Sequence, residues 1–570
     1  MQYLVFIGIV VFVLLVTALL GLRNAREQKR AFYAHMRALQ GKAPDKKYTQ
    51  DSFRHIPTLF FKHRRDDSVD DITWHDLDMN GVFMRVNYCR SAAGEEMLYH
   101  CLRNPASMGD GLFKDAAHAE RQISFFAEEA DARLAAQEQF EQMRQSTKHS
   151  VYDYLDMMDT KTVRNNTPHY LVLFLMAVSI ALLFVRFEIF IVVLVLLLVY
   201  NLLSYYRIKS EVEPYFATFS HVLRLIDGCR TLSRLFLQPA YRGLFDEEAK
   251  AMEEQVNAMA SFRRGAFLVM SSGGGSGNPL ELLFDYLKIF THIDLIRFNQ
   301  MYRELQSHAD NVDRLIMKSG ALEVLISVAC LRSSLADAFC IPQFAEGEAG
   351  TLLMEEGYHP LIRGAVRNSI RCDKNVLITG SNASGKSTFL KMTAINAVLA
   401  QSLHTVCAKA YEAPLFRIYS SMALTDNLQE GDSYYIVETK SLKRILDAAQ
   451  TKGARVLCFV DEVLRGTNTV ERIAASAQIL KHFASRNVLC FAATHDGELT
   501  AMLGSLYDNY HFDGEITEDD VRFDYRLREG SAVTRNAIRL LRILGYDDSI
   551  VASAEDSAQE FLQSGVWKAV

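Results

Sequence analysis

The chain has 570 residues, a formal net charge of −6 and nine cysteines. Its length exceeds what one core can hold, so several domains are expected; the mild acidity excludes a protein that grips nucleic acid by overall positive charge. The cysteines are scattered without a C-x-x-C pair, which argues against a disulfide frame or zinc ribbon and for reduced thiols in a cytosolic body.

In chain order, residues 3–22 (YLVFIGIVVFVLLVTALLGL) carry no charge and, as a helix, are long enough to cross a hydrocarbon core of about 30 Å. No Lys or Arg precedes the run and no small-x-small site follows it, so an uncleaved anchor over 1–24 is preferred to a cleaved signal peptide. Residues 25–70 read as a polar juxtamembrane linker. Residues 71–168 read as helical, with a Ser-x-x-Gly-Glu helix start at Ser91 and apolar positions at helical spacing over 115–160.

Residues 169–207 hold two further apolar runs, Tyr170 to Val185 and Ile189 to Tyr206, separated only by Arg186, Phe187 and Glu188. A charged turn between apolar runs suggests a transmembrane helical hairpin, with a buried soluble hairpin as the alternative. Arg23, Arg26, Lys29 and Arg30 follow the first run, and Lys161, Arg164, Arg207 and Lys209 flank the hairpin. All then lie on one side, which the positive-inside tendency makes the cytoplasm.

Residues 208–342 return to helical patterning, broken by SSGGGSGN at 271–278. After Pro342 short β-branched runs, NVLITG (375–380), RVLCFVDE (455–462) and NVLCFAATH (487–495), alternate with helical segments. That alternation predicts a mainly parallel sheet covered by helices over 343–570, with HFDGEI and VRFDYRL as a late β-hairpin and a last helix from near Thr534. The fold class is therefore multidomain α and α/β: transmembrane helices, a helical region and a C-terminal P-loop NTPase domain.

Gly380-Ser381-Asn382-Ala383-Ser384-Gly385-Lys386-Ser387-Thr388 fits the phosphate-loop pattern G-x-x-x-x-G-K-[ST], between a strand and a helix. Its glycines let backbone N–H groups curl around phosphates at a helix N-terminus. Lys386 is expected to reach the β and γ phosphates of ATP and Ser387 to ligate Mg²⁺. Asp461 and Glu462 end the next apolar strand; Asp461 suits the Mg²⁺ and Glu462 the general base that polarises water. His495 ends a third strand at the same sheet edge, where it can sense the γ phosphate or serve as an ordinary structural histidine.

ITGSNASGKSTFLK, GDSYYIVE (431–438), FVDEVLRGTN (459–468) and ATHDGEL (493–499), in this order and spacing, resemble the ATPase domain of the MutS mismatch-repair family. Gly357-Tyr358-His359-Pro360 resembles the segment that opens that domain, and TRNAIRLLRILG (534–545) its helical closure. Residues 71–168 and 208–342 resemble the two parts of the family's helical core and lever. The resemblance makes Asn382 a γ-phosphate contact, Ser433 the residue offered across a dimer interface to the partner's nucleotide, and Arg465-Gly466-Thr467 the turn after the acidic pair. Ser381 and Ala383 stand where the family has Pro and Met, and Tyr434-Tyr435 where it has Thr-Phe.

Mismatch-reading members begin with a domain that wedges a Phe beside a Glu into the duplex; too little chain lies between the first apolar run and the helical region to hold one. Phe126-Ala127-Glu128 and Phe344-Ala345-Glu346 have the letters without the setting. Together with the apolar runs, which supply the membrane anchor, the resemblance implies a membrane-anchored ATP hydrolase, working with Mg²⁺ as a homodimer with composite sites and coupling ATP to binding of mismatched or branched DNA. The alternative is a membrane ATP switch acting on a protein partner. An ABC-type transporter fits less well, because three spans are few for a pathway and the Gly-rich 271–278 stretch precedes the phosphate loop.

Overall fold

Apolar residues at helical spacing up to Leu335 and short β-branched runs beyond Cys340 divide the molecule into a helical body and a sheet domain. A computed structural model describes residues 2–105, 111–144, 150–159, 165–270, 279–336, 338–345, 350–381, 384–422, 434–451, 453–465, 467–516, 521–531, 537–543 and 545–567.

The first helix runs unbroken from Gln2 to Leu39. Nothing in residues 23–40 breaks a helix until Gly41, which takes φ +73°, the left-handed conformation that commonly closes helices. The linker expected over 25–70 is therefore replaced by this helix and, further on, by buried structure: Ile56, Leu59 and Phe60, at i, i+3, i+4 spacing, are almost wholly buried. The basic half of the first helix is tied to the body by Lys29–Glu138 (2.7 Å), Tyr33 Oη to Glu138 (2.9 Å) and Arg37–Asp131 (3.0 Å).

Within the body, helix Ala92–Arg103 begins at Ser91, whose Oγ accepts from Gly94 N at 3.1 Å, and packs along helix Ala309–Leu335. The two approach closely because Gly320 has no side chain: a Cβ there would lie 2.6 Å from Ala93 O. Glu323 adds its carboxylate to the start of the shorter helix, accepting from the backbone N–H groups of Arg90 and Ser91.

Helices Thr167–Leu182 and Phe187–Val212 pack on one another as a hairpin around residues 183–186. Among the described residues one helix, starting at Phe187, is long and apolar enough to cross a membrane, and almost none of its apolar window is buried; Thr167–Leu182 is apolar but shorter. Lys161, Arg164 and the 271–278 stretch lie outside the described residues.

The sheet domain holds a small sheet of β1 (Gln343–Phe344), β2 (Leu352–Gly357), β3 (Asn368–Cys372) and β5 (Ala410–Ala413), in the order β1-β5-β2-β3. Its main sheet comprises β4 (Asn375–Gly380), β6 (Phe416–Ser421), β7 (Arg455–Asp461), β8 (Val488–Thr494), β9 (Tyr507–Ile516) and β10 (Val521–Glu529), in the order β10-β9-β4-β8-β7-β6. All neighbours are parallel except β9 and β10, the expected hairpin. The continuous apolar runs of β4, β7 and β8 suit strands covered on both faces. Because β4, β8 and β7 are adjacent and parallel, Gly380, Thr494-His495 and Asp461-Glu462 arrive at one edge, where open α/β sheets bind ligands. At the C-terminus lie helices Ala537–Ile543 and Asp548–Ser564; the expected helix start at Thr534 falls outside the described residues.

Candidate functional site

At the end of β4 the chain turns through Gly380, at φ +148°, and enters helix Lys386–Leu403 through Gly385, at φ +110°. Both angles lie in the region that a side chain resists. Gly380 is also crowded, since a Cβ there would lie 2.8 Å from Phe512 O and 2.9 Å from Ser384 Oγ.

Lys386 Nζ donates to the carbonyls of Gly380 (2.7 Å) and Ser381 (2.9 Å) and lies 3.3 Å from His495 Nε2. Burial pushes its pKa down to about 8, against the opposing pull of Asp461 and Glu462. Ser387 Oγ donates to Asp461 Oδ2. Among the described residues no donor reaches the buried Asp461 Oδ1, nor do the buried hydroxyls of Ser381 and Ser384 have partners. A carboxylate oxygen stripped of water and left unpaired is costly unless a cation completes it. The paired Ser hydroxyl and carboxylate are oxygen ligands of the kind Mg²⁺ takes, so the donor set fits that ion.

Beside Asp461, Glu462 holds φ +56°, a conformation uncommon for a residue with a side chain. Its backbone N–H donates to Ala493 O (2.9 Å), and its carboxylate is gripped by His495 Nε2 and Arg465 Nε, each at 2.7 Å. Burial works against the charge, but the His495 hydrogen bond and the Arg465 guanidinium hold the carboxyl below the usual value. The strained turn is fixed from outside by Glu438, whose carboxylate accepts from the N–H groups of Leu464 (2.5 Å) and Arg465 (3.1 Å). Arg472 makes a paired contact with Asp496, at 3.0 and 2.6 Å, and so anchors the residue after His495.

Ser381, Ser384, Gly385, Lys386, Ser387, Thr388, Glu462 and His495 border one cavity of about 610 Å³. This lies within the range of small-molecule sites. The lining also includes the apolar or aromatic side chains of Ile362, Val366, Met392, Phe512 and Tyr525. Tyr525 sits in the β9–β10 register shift at φ +55°, with its ring 3.2 Å from where a Gly385 Cβ would stand. The Asn368 carboxamide brackets it, donating to Tyr525 O (3.0 Å) and accepting from Leu527 N (2.8 Å).

Residues 376–562 match the family described as MutS domain V. This part of the chain is similar to MutS. The DNA mismatch repair protein MutS of Desulfosudis oleivorans is 29% identical over 385 residues, covering 61% of this chain and 42% of the relative. That of Aquifex pyrophilus is 30% identical over 276 residues (46% and 32%), and DNA mismatch repair protein MutS 2 of Haloarcula marismortui 34% over 184 residues (32% and 19%). The matched stretches thus cover less than half of each relative's length, and the likeness supports a MutS-like ATPase.

Of the site residues expected from the MutS-like motifs, Gly380, Ser381, Ser384, Gly385, Lys386, Ser387, Thr388, Asp461, Glu462 and His495 come together at the sheet edge. Asn382, Ala383, Ser433 and Gly466 lie outside the described residues. The sequence reading missed Glu438, Arg472 and Tyr525. Glu438 closes the GDSYYIVE motif and was open to notice; the left-handed turn of Tyr525 leaves no mark in a strand-like run.

Proposed function

We propose that the chain is a membrane-anchored MutS-like ATPase, which binds ATP with Mg²⁺, hydrolyses it in a homodimer with composite sites, and couples this cycle to DNA binding. The observation that carries the reading is Asp461 Oδ1, without a partner among the described residues, beside the Ser387–Asp461 hydrogen bond, with Lys386 and Glu462 lining the same cavity. Ser387 and Asp461 would hold Mg²⁺, which neutralises phosphate charge when bound. Lys386 exchanges the loop carbonyls for the β and γ phosphates, and the loop's N–H groups, Asn382 and Ala383 included, cradle them with Ser381, Ser384 and Thr388 nearby. Glu462, ionised at neutral pH, receives the proton of the attacking water, while His495, between Glu462 and Lys386, registers the γ phosphate. Tyr525 and the apolar part of the cavity lining take the base. Ser433 would be offered to the partner subunit's nucleotide.

In the proposed division, residues 1–24 are the anchor, 169–207 the membrane hairpin, 71–168 and 208–342 the helical core and lever, and 343–570 the ATPase domain, facing the cytoplasm. The exposed apolar surface of the hairpin supports its place in a bilayer. The net charge of −6 favours a second reading, in which the switch acts on a protein partner instead of DNA. Two measurements test the proposal. Lys386→Ala should abolish nucleotide binding, while Glu462→Gln should bind ATP and stall hydrolysis; normal turnover by the Glu462 variant would refute its role as base. Binding of the purified protein to homoduplex, mismatched and branched DNA across a salt series separates the outputs, since failure to bind any of them at low salt leaves the protein-partner reading.

A further inference from the structure

Helix Pro279–Thr291 packs on the hairpin helix Phe187–Val212, and its described side chains, from Phe284 on, are placed unusually for a helix in water. Lys288 is 2% exposed, and its partner Asp285, at 3.5 Å, is about half exposed, as are Phe284, Tyr286, Leu287 and Phe290. A soluble helix places its lysine outward and its aromatic side chains inward. On the hairpin helix it packs against, Leu196, Tyr200 and Leu203 are exposed as well.

The place of contact is fixed by hydrogen bonds. Asn201 Nδ2, on the hairpin, donates to the carbonyls of Ile289 (2.8 Å) and Phe290 (3.3 Å), partnering the C-terminal end of helix Pro279–Thr291. His292, just past that end, meets Asn201 O (3.2 Å) and His169 Nδ1 (2.9 Å), so both hairpin helices grip it. Along an untilted helix, Phe187 to Arg207 is about 30 Å, the thickness of a hydrocarbon core. With Arg207 at the near surface, Asn201 lies about 9 Å below it, within the roughly 5–10 Å at which interfacial helices bury their apolar faces.

We propose that helix Pro279–Thr291 is a lipid-contacting helix, its Phe284, Tyr286, Leu287 and Phe290 seated at the boundary between headgroups and acyl chains on the cytoplasmic side. The proposal rests on the reading that the hairpin crosses a membrane. It adds a third lipid contact to the anchor and the hairpin, clamped to the hairpin and leading directly into helix Ile293–Ser307 of the body.

Tryptophan quenching tests both readings separately. In the full chain carrying Trp567→Phe, with buried Trp74 kept as an internal reference, Phe284→Trp, Phe290→Trp and, on the hairpin, Leu196→Trp are placed one at a time. Each protein is reconstituted into phosphatidylcholine–phosphatidylglycerol vesicles whose chains are brominated either near the headgroup or near the bilayer centre. The expected result is loss of most of the added fluorescence in all three, with headgroup-proximal bromine more effective at 284 and 290 and central bromine at 196. Quenching at 196 but not at 284 and 290 overturns the lipid contact and leaves the hairpin reading standing. Stronger quenching at 284 and 290 by central bromine overturns the interfacial position, and no quenching at any site overturns both readings.

Discussion

The two ends of helix Lys386–Leu403 are built on opposite terms. At its start lie glycines with positive φ, a lysine held by loop carbonyls, and a carboxylate oxygen, Asp461 Oδ1, with no partner among the described residues. At its finish the polar groups are joined: Arg332 makes two bonds to Glu120 (2.7 and 2.8 Å), and reaches His404 O (2.7 Å) and Thr405 Oγ1 (3.0 Å). His404 Nδ1 meets Glu120 at 2.7 Å. One end leaves polar groups without partners among the described residues, and the other ties the helix to the body, because Arg332 belongs to helix Ala309–Leu335 and Glu120 to helix Ala116–Glu128.

The contrast can be broken at its locked end first. Glu120→Ala leaves the Arg332 charge, 8% exposed in its side chain, without its carboxylate, and should cost about 3–5 kcal/mol in denaturant unfolding. If it costs under about 1 kcal/mol, the joint is an ordinary surface pair. The same group gives a pH signature. Burial opposes the Glu120 charge, but the hydrogen bonds from Arg332 and His404 override it and bring the pKa down to about 2. A depressed carboxylate stabilises the fold above its unfolded pKa and loses that contribution as pH falls through the folded one. Wild type should therefore lose this stability between about pH 4.5 and 2. Subtracting the Glu120→Gln curve from that of wild type isolates the effect.

At the ligand end the expected effects are on binding. Tyr525→Ala should weaken ATP binding by about 1–2 kcal/mol, through lost stacking, with little change in unfolding. Equal binding by titration calorimetry would remove Tyr525 from the base site. Gly385→Ala, at φ +110°, should cost about 1–2 kcal/mol of stability and weaken nucleotide binding as well. The smallest effect belongs to Arg37→Ala, whose pair with Asp131 is largely exposed: unfolding should be unchanged within error, and a clear loss would make the first helix a firmer part of the body than its contacts suggest.

The ligand end was more legible in sequence than the locked end. Gly380 to Thr388, Asp461-Glu462 and His495 follow fixed spacings that phosphate chemistry demands, and adjacent parallel strands bring such residues to one edge. Glu120, Arg332 and His404 come from three separate segments and meet only through packing, which leaves no local pattern. The same limit hid Arg472, which acts by holding a neighbouring side chain; Glu438 stands inside the GDSYYIVE motif, but its task of holding the backbone of Leu464 and Arg465 shows only in the fold. The reading of 25–70 as a linker failed for a different reason: helix persistence depends on the absence of a breaker before Gly41, and burial of Ile56, Leu59 and Phe60 on the fold around them.

That unbroken first helix has a mechanical consequence. Under the proposed anchoring, a coil over residues 23–40 would be a tether, letting the ATPase domain roam by about 5–6 Å times the square root of its length. A helix is instead a strut: Leu22 to Tyr33 spans about 17 Å, and the Glu138 contacts fix the far end. The standoff between bilayer and body, and the direction the nucleotide site faces, would then be set by geometry, so whatever the domain acts on must come to it at a defined height.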